Sequence, residues 1–280
     1  MNDFIVRPLV DLADLHEVEV LQRAIWGMPP EGIVPAHQLL AATTAGGVVL
    51  GARTSSAGVL VGFSYGFVGQ REGRLLFYSH MTGVHRDFRG ADIGFRLKCA
   101  QRDFVLAQGI DRIVWTFDPL VAANGYFNLH KLGAVAQRYY VNYYGEMDDE
   151  LNRGLPSDRL EVDWWLRTLR VERAIGGDRQ GHRWEDSVPV LTAHASESTL
   201  APELPRFEVD APALRIEMPT TLGALKTDDA DLAQRWRTAT REVFLYYFTR
   251  GYRAVDFLHA TSSDRPLGGY LLMQTSDEQR

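Results

Sequence analysis

The chain has 280 residues, 45% hydrophobic and 24% charged, with a net charge of -6. This balance excludes a disordered chain and argues against a general nucleic-acid binder, which would carry a basic face. A single cysteine, Cys99, allows no internal disulfide framework. No stretch approaches the ~20 apolar residues of a membrane span, and the acid-bearing N-terminus is unlike a secretory signal. The expectation is a cytoplasmic protein with no membrane or nucleic-acid partner.

Phe4 to Val6 reads as a short strand. Asp14 to Trp26 follows with Leu15, Val18, Leu21 and Ile25 at helical spacing, broken by Pro29 and Pro30. Val48 to Thr54, Val59 to Val68 and Leu75 to Val84 are β-rich runs joined by polar turns, which predicts an antiparallel meander. The period changes after Gly90: Ile93, Leu97, Ala100, Phe104 and Ala107 form one helical stripe, closed near Gly109. Ile110 to Phe117 is strand-like again, so a crossover makes the sheet locally parallel there. A helix over 122–132 and strands within 135–144 and 160–166 complete a domain over 1–168.

Residues 169–212, rich in glycine and proline, read as a connection holding one strand near Val188 to Thr192. The tail, 213–280, predicts strand, helix, strand, strand. Its helix runs from Asp228 to Arg250, with Thr227 as N-cap and an apolar face of Leu232, Trp236, Ala239, Val243 and Tyr246. The Arg235, Arg237 and Arg241 group reads as a solvated helix face. So small a tail needs the first domain or a second subunit to pack on, and a homodimer is one expectation. The fold class is therefore α/β (α+β): a mixed, mostly antiparallel central sheet flanked by helices, with a small C-terminal extension.

The segment Val84 to Gly94 stands where a strand ends and an amphipathic helix begins. N–H groups at a helix start lack internal partners and favour anions, glycines admit close approach, and Arg89 adds charge. A phosphate site and a plain capped helix start both fit this segment. Cys99 is read as structural, and the eight histidines show no metal-ligand spacing.

Val84-x-x-x-x-Arg89-Gly90-x-x-Ile93-Gly94, in this order of elements, resembles the coenzyme-A diphosphate loop of the GNAT superfamily of N-acetyltransferases. The family pattern Arg/Gln-x-x-Gly-x-Gly/Ala falls on Arg89, Asp92 and Gly94, and Lys131-Leu132-Gly133-Ala134 resembles the family's Lys-Leu-Gly-Phe. The resemblance covers residues 1–168. It implies an acyl-CoA cosubstrate, acetyl by default and succinyl as an option, and direct transfer to a small amine or amino acid without a metal. It also implies donor-binding residues Thr82, Gly83, Val84, Arg89, Gly90, Ala91, Asp92, Ile93, Gly94 and Asn124, with Gly83 permitting a strand bulge.

Two positions depart from the family. Asp92 stands in place of a glycine, and Leu129 falls where the proton-donating tyrosine usually lies. Tyr126 and His130 are the substitutes for that acid. His80 suits a base or a surface histidine, and Asp118 suits an amine-orienting carboxylate or a turn before Pro119. The alternatives are a catalytically impaired GNAT-like binding module and a structural or assembly protein.

Overall fold

The computed structural model describes residues 3–145, 154–179, 181–195, 199–221, 229–260 and 266–274. The chain divides into two compact units: Met1–Trp115, and Thr116–Met147 with Asn152–Arg280.

The first unit contains β1 (Phe4–Pro8), α1 (Leu12–Trp26), α2 (Ala36–Thr44), β2 (Val48–Thr54), β3 (Leu60–Arg71), β4 (Arg74–Val84), α3 (Ile93–Ala107) and the start of β5 (Arg112–Phe117). Its strands lie in the order β1-β2-β3-β4-β5, antiparallel except for the β4–β5 pair. Leu15, Val18 and Leu21 of α1 and Leu39 of α2 pack with Phe63 and Tyr65 of β3 into one apolar cluster. Gln22, fully buried, ties α1 to the following loop: its Nε2 donates to Val34 O and its Oε1 accepts from Val34 N. Gly27 ends α1 at φ 63°, a left-handed cap that glycine reaches without strain.

The β3–β4 register shifts once. Tyr65 faces Met81, but Gly66 faces Ser79, so His80 is the extra residue of a bulge. The bulge expected at Gly83 is therefore at His80. Gly83 sits in regular register opposite Phe63, and a Cβ there would fall 2.8 Å from the Trp26 ring, so the glycine makes room for α1. The bulge also turns Ser79 and Thr82 to the face covered by α3, where both join its polar contacts. The buried face of α3 accordingly comprises Ile93, Leu97, Lys98, Gln101 and Val105, rotated from the predicted stripe, and Ala107 is exposed.

The second unit holds α4 (Ala122–Gly125), continued by a π-helical turn (Tyr126–Lys131), then β6 (Val135–Tyr140), β7 (Arg159–Trp165) and α5 (Leu169–Ile175). It goes on with β8 (Val188–Leu191), β9 (Ala193–Ala195), β10 (Leu200–Pro202), β11 (Ala213–Pro219), α6 (Ala230–Phe248), β12 (Tyr252–His259) and β13 (Leu267–Gln274). Its main sheet runs β7-β6-β12-β13-β11-β8, with β11–β8 parallel, and β9 and β10 form a separate hairpin. Among the described residues of 169–212 there are thus a helix and three short strands, more than the single strand expected. Tail strand β12 pairs with β6 at Ala254 and Ala136, so the tail continues the sheet that holds β6 and β7. Asp229 caps α6 by accepting from Leu232 N at 2.9 Å, while Thr227 and Asp228 lie outside the described residues. Trp164, Trp236, Tyr247, Tyr270, Phe244 and Phe257 are among the second unit's largest fully buried side chains.

Candidate functional site

In the first unit the site begins as an open strand edge. His85 N–H donates to Val61 O at 2.8 Å, and the antiparallel register continues through Val84–Gly62, Gly83–Phe63 and Thr82–Ser64. Backbone groups alternate in direction along a strand, so those of Gly83 face β3 and those of Thr82 and Val84 face away. On that other side, the described register with β5 consists of Phe77–Ile113 and Tyr78–Val114. The described register with β5 ends at Tyr78, while Thr82 and Val84 turn their backbone groups to that same side further along β4.

That edge leads into the loop before α3. Arg89 Nε donates to Val84 O at 3.4 Å, and Gly90 takes φ 84° with open space around its Cα. The helical ladder starts with Arg96 N donating to Asp92 O, so the N–H groups of Ile93, Gly94 and Phe95 precede it and point toward the loop. Asp92 adopts the left-handed conformation, φ 58° and ψ 15°, as the family glycine would. The backbone form is preserved and a negative charge is added. Asp92→Gly is therefore expected to relieve the strain of a positive φ at a residue that carries a Cβ, and urea unfolding of the variant measures the change.

Behind this edge runs a polar chain. Lys98 Nζ donates to Ser79 Oγ at 2.9 Å and to Gln101 Oε1 at 3.0 Å, and Gln101 Nε2 donates to Ser64 Oγ, which bonds the Thr82 hydroxyl. His80 lies on the opposite face at the bulge, accessible but with its ring 5.8 Å from Tyr65 and 6.2 Å from Phe67. Packing against these rings pushes its pKa below the ordinary value, which favours the neutral imidazole a base requires.

The second unit contains the other sequence candidates. Both Asp118 carboxylate oxygens are engaged: Oδ1 accepts from Leu120 N and Oδ2 from Arg237 Nη2, each at 2.8 Å. This geometry supports the turn reading of Asp118 and overturns the solvated reading of Arg237, which is 1% exposed. Arg241 is likewise no free surface charge, since its Nε and Nη2 hold Asp158 at 2.8 and 3.0 Å. Asn124 is exposed on the first turn of α4. Tyr126 and His130 are brought together, their rings stacked at 4.7 Å. His130 Nδ1 lies 2.9 Å from Asp256 Oδ1, and His182 Nδ1 lies 2.8 Å from Asp256 Oδ2.

Sequence reasoning missed Asp256, His182 and Lys98. An aspartate inside the apolar strand β12 was the available signal, because a buried carboxylate needs donors. Among the described residues, no group of three His, Cys, Asp or Glu side chains is placed to hold a metal.

No family model matches the chain, and no curated protein matches its sequence. Solved structures do match in part. The NatC complex bound to Gag peptide and CoA contains a chain at 18% identity and TM-score 0.46, covering 57% of this chain and 97% of that one. Naa50 of Arabidopsis thaliana, in complex with the bisubstrate analogue CoA-Ac-MVNAL, matches at 19% identity and TM-score 0.44, covering 57% and 97%. The ribosomal-protein-S18-alanine N-acetyltransferase of Escherichia coli matches at 14% identity and TM-score 0.45, covering 57% and 92%.

From β1 to β7 the element order is the one the sequence resemblance implies, and β4 is bulged and opens from β5 ahead of the loop to α3. Leu129, on the turn that follows α4, is fully buried and serves as a core side chain. The same turn carries Tyr126, His130 and Lys131.

Proposed function

We propose that this protein is an acyl-CoA-dependent N-acyltransferase that acts by direct transfer to a small amine or amino acid. The observation that carries this reading is the outward edge of β4 from Ser79 to Val84 leading into the Gly90–Gly94 helix start. Such an edge suits the two amides of a pantetheine arm, with Thr82 and Val84 as its partners and Gly83 between them. The loop of Arg89, Gly90, Ala91, Asp92, Ile93 and Gly94 then suits the diphosphate. Asn124 would contact the donor arm. His80 is the proposed base, and Tyr126 and His130 are the proposed acids. Asp118 enters only as an amine-orienting candidate, and its two occupied oxygens count against it.

The acyl group is acetyl by default, with succinyl as the bulkier option. A protein N-terminus is the other acceptor class, since Naa50 was solved with a peptide-bearing analogue. The protein is proposed to act in the cytoplasm, as a monomer or homodimer.

Titration with CoA, acetyl-CoA and succinyl-CoA, followed by thermal shift and calorimetry, tests the reading. Saturable binding with a Kd of about 1–100 μM is expected, and at saturating ligand the fold gains roughly 1–3 kcal/mol. Absence of binding by both the natural chain and Asp92→Gly would overturn it. Buried Leu129 favours a second reading, a GNAT-like binding module without turnover. That module would bind CoA and release no thiol from acetyl-CoA or succinyl-CoA.

A further inference from the structure

In the second unit a groove of about 630 Å³ lies between α6 and the segment 201–205. Hydrogen bonds fix that segment at both ends: Trp236 Nε1 donates to Leu200 O at 2.9 Å, and Tyr247 OH donates to Arg206 O at 2.8 Å. Between them Glu203 N donates to Thr192 O at 3.0 Å, and the rings of Pro202 and Pro205 set their own φ. Leu204 nevertheless stands out into water. At 90% exposed it is the least covered large apolar side chain among the described residues. A single exposed leucine is ordinary, but this one borders a groove whose wall also includes Ala201, Pro202, Pro205 and Ala239.

The α6 side of the groove carries Arg235, Thr238, Ala239 and Glu242. Arg235 and Glu242 are seven residues apart on one face, two turns or about 10.5 Å along the axis. Both are exposed, and neither has a hydrogen-bond or ion-pair partner among the described residues. Thr238 and Ala239, both small, stand midway between them. Opposite charges placed symmetrically about small residues are self-complementary. A second α6 laid antiparallel across the same turn brings each Arg235 to the other copy's Glu242. A partner helix of a single sign would set like charge against one of the two.

We propose that this face is the interface of a symmetric homodimer, in which α6 packs antiparallel against its copy and each Leu204 enters the other chain's groove. The proposal stands on the second unit alone and does not depend on the transferase reading. Two-fold symmetry uses every residue of the patch twice, so both leucines leave water and both ion pairs form. Burial of the leucines supplies affinity, while the charges set the antiparallel sense and register.

Sedimentation equilibrium of the full-length protein, loaded from about 0.1 to 100 μM, tests this, and a dimer Kd of about 1 μM or below is expected. Leu204→Asp should raise that Kd ~10²-fold or more, since two leucines are lost from one interface. Its urea unfolding should match the natural chain at monomeric concentrations, because the side chain is 90% exposed. Arg235→Glu and Glu242→Arg should each raise the Kd about tenfold, by placing like charges together at two points. The double reversal Arg235→Glu/Glu242→Arg should restore dimerisation, which neither misfolding nor an unrelated contact would do.

A monomer across the whole range would overturn the proposal. So would a dimer that survives Leu204→Asp, or a double reversal no tighter than the single ones. A monomer whose groove saturably binds anilinonaphthalene sulfonate, with binding lost in Leu204→Asp, would overturn it too and assign the groove to a small apolar ligand.

Discussion

Asp118→Ala is expected to lower stability by about 3–5 kcal/mol, a fall in Tm of roughly 10 °C for a chain of this size. The cause is the charge left behind. Arg237 is 1% exposed, and its Nη2 lies 2.8 Å from Asp118 Oδ2. Its Nε and Nη1 have no hydrogen-bond partner among the described residues. Burial works against a charged guanidinium, but the Asp118 carboxylate more than offsets this and holds Arg237 above its ordinary range. Without Asp118, the desolvated cation remains and its main compensation is gone. The same change removes the bond to Leu120 N that shapes the turn into α4.

Asp118→Ala/Arg237→Met should recover most of the loss, since an apolar side chain of similar length leaves no buried charge. Urea and thermal unfolding of the two variants separate the roles argued for Asp118. If Asp118→Ala keeps its Tm and loses only turnover, the carboxylate orients an amine and is not a structural pair.

This pair shows where the sequence stops being legible. Local periodicity located most of the elements: α1, β2, β4, α3 and the tail strands fall within a few residues of their predicted places. Helix α2 escaped because Ala36–Thr44 is short, rich in small residues and introduced only by Pro35. The loop before α3 was legible because its chemistry is local, and Asp92 keeps the positive φ that the family glycine implies.

Buried charge was not legible. Arg237 and Arg241 look like solvated helix residues until Asp118 and Asp158 are brought to them across 119 and 83 positions of chain. His130 was named as a candidate, but the carboxylate that orients it comes from 126 residues away. Periodicity reports how an element faces the core, not which polar partner waits there. Gly83 illustrates the same limit. Its size answers the Trp26 ring, a long-range contact, while the bulge went to His80, whose accessible side chain gave no local sign of one.

Across the pH range below 10.5, stability is expected to rise with pH by up to about 1.4 kcal/mol per unit, and Lys98→Met should abolish that rise. Lys98 is enclosed between α3 and the sheet, with its Nζ 3.7 Å from the Trp115 ring centroid. A cation–π contact contributes about 0.5–2 kcal/mol, less than desolvating an ammonium takes away, and burial therefore drives the lysine well below 10.5. Between the folded value and 10.5, the unfolded chain binds a proton that the folded chain lacks, so raising the pH favours folding. Below the folded value both states carry the proton and the slope vanishes.

Other groups oppose this only at higher pH. Burial pushes the Cys99 thiol from 9.0 to about 11 and raises Tyr139 and Tyr270 above 10.0, so these acids lower stability once the unfolded chain loses their protons. Urea unfolding between about pH 7 and 9 isolates the lysine, and the difference from Lys98→Met cancels the rest. A slope that persists in the variant would assign it to another group. A slope that vanishes would place a titrating amine two hydrogen bonds behind the Ser64 hydroxyl that meets Thr82. The β4 segment around Thr82 would then rest on a network whose charge changes with pH.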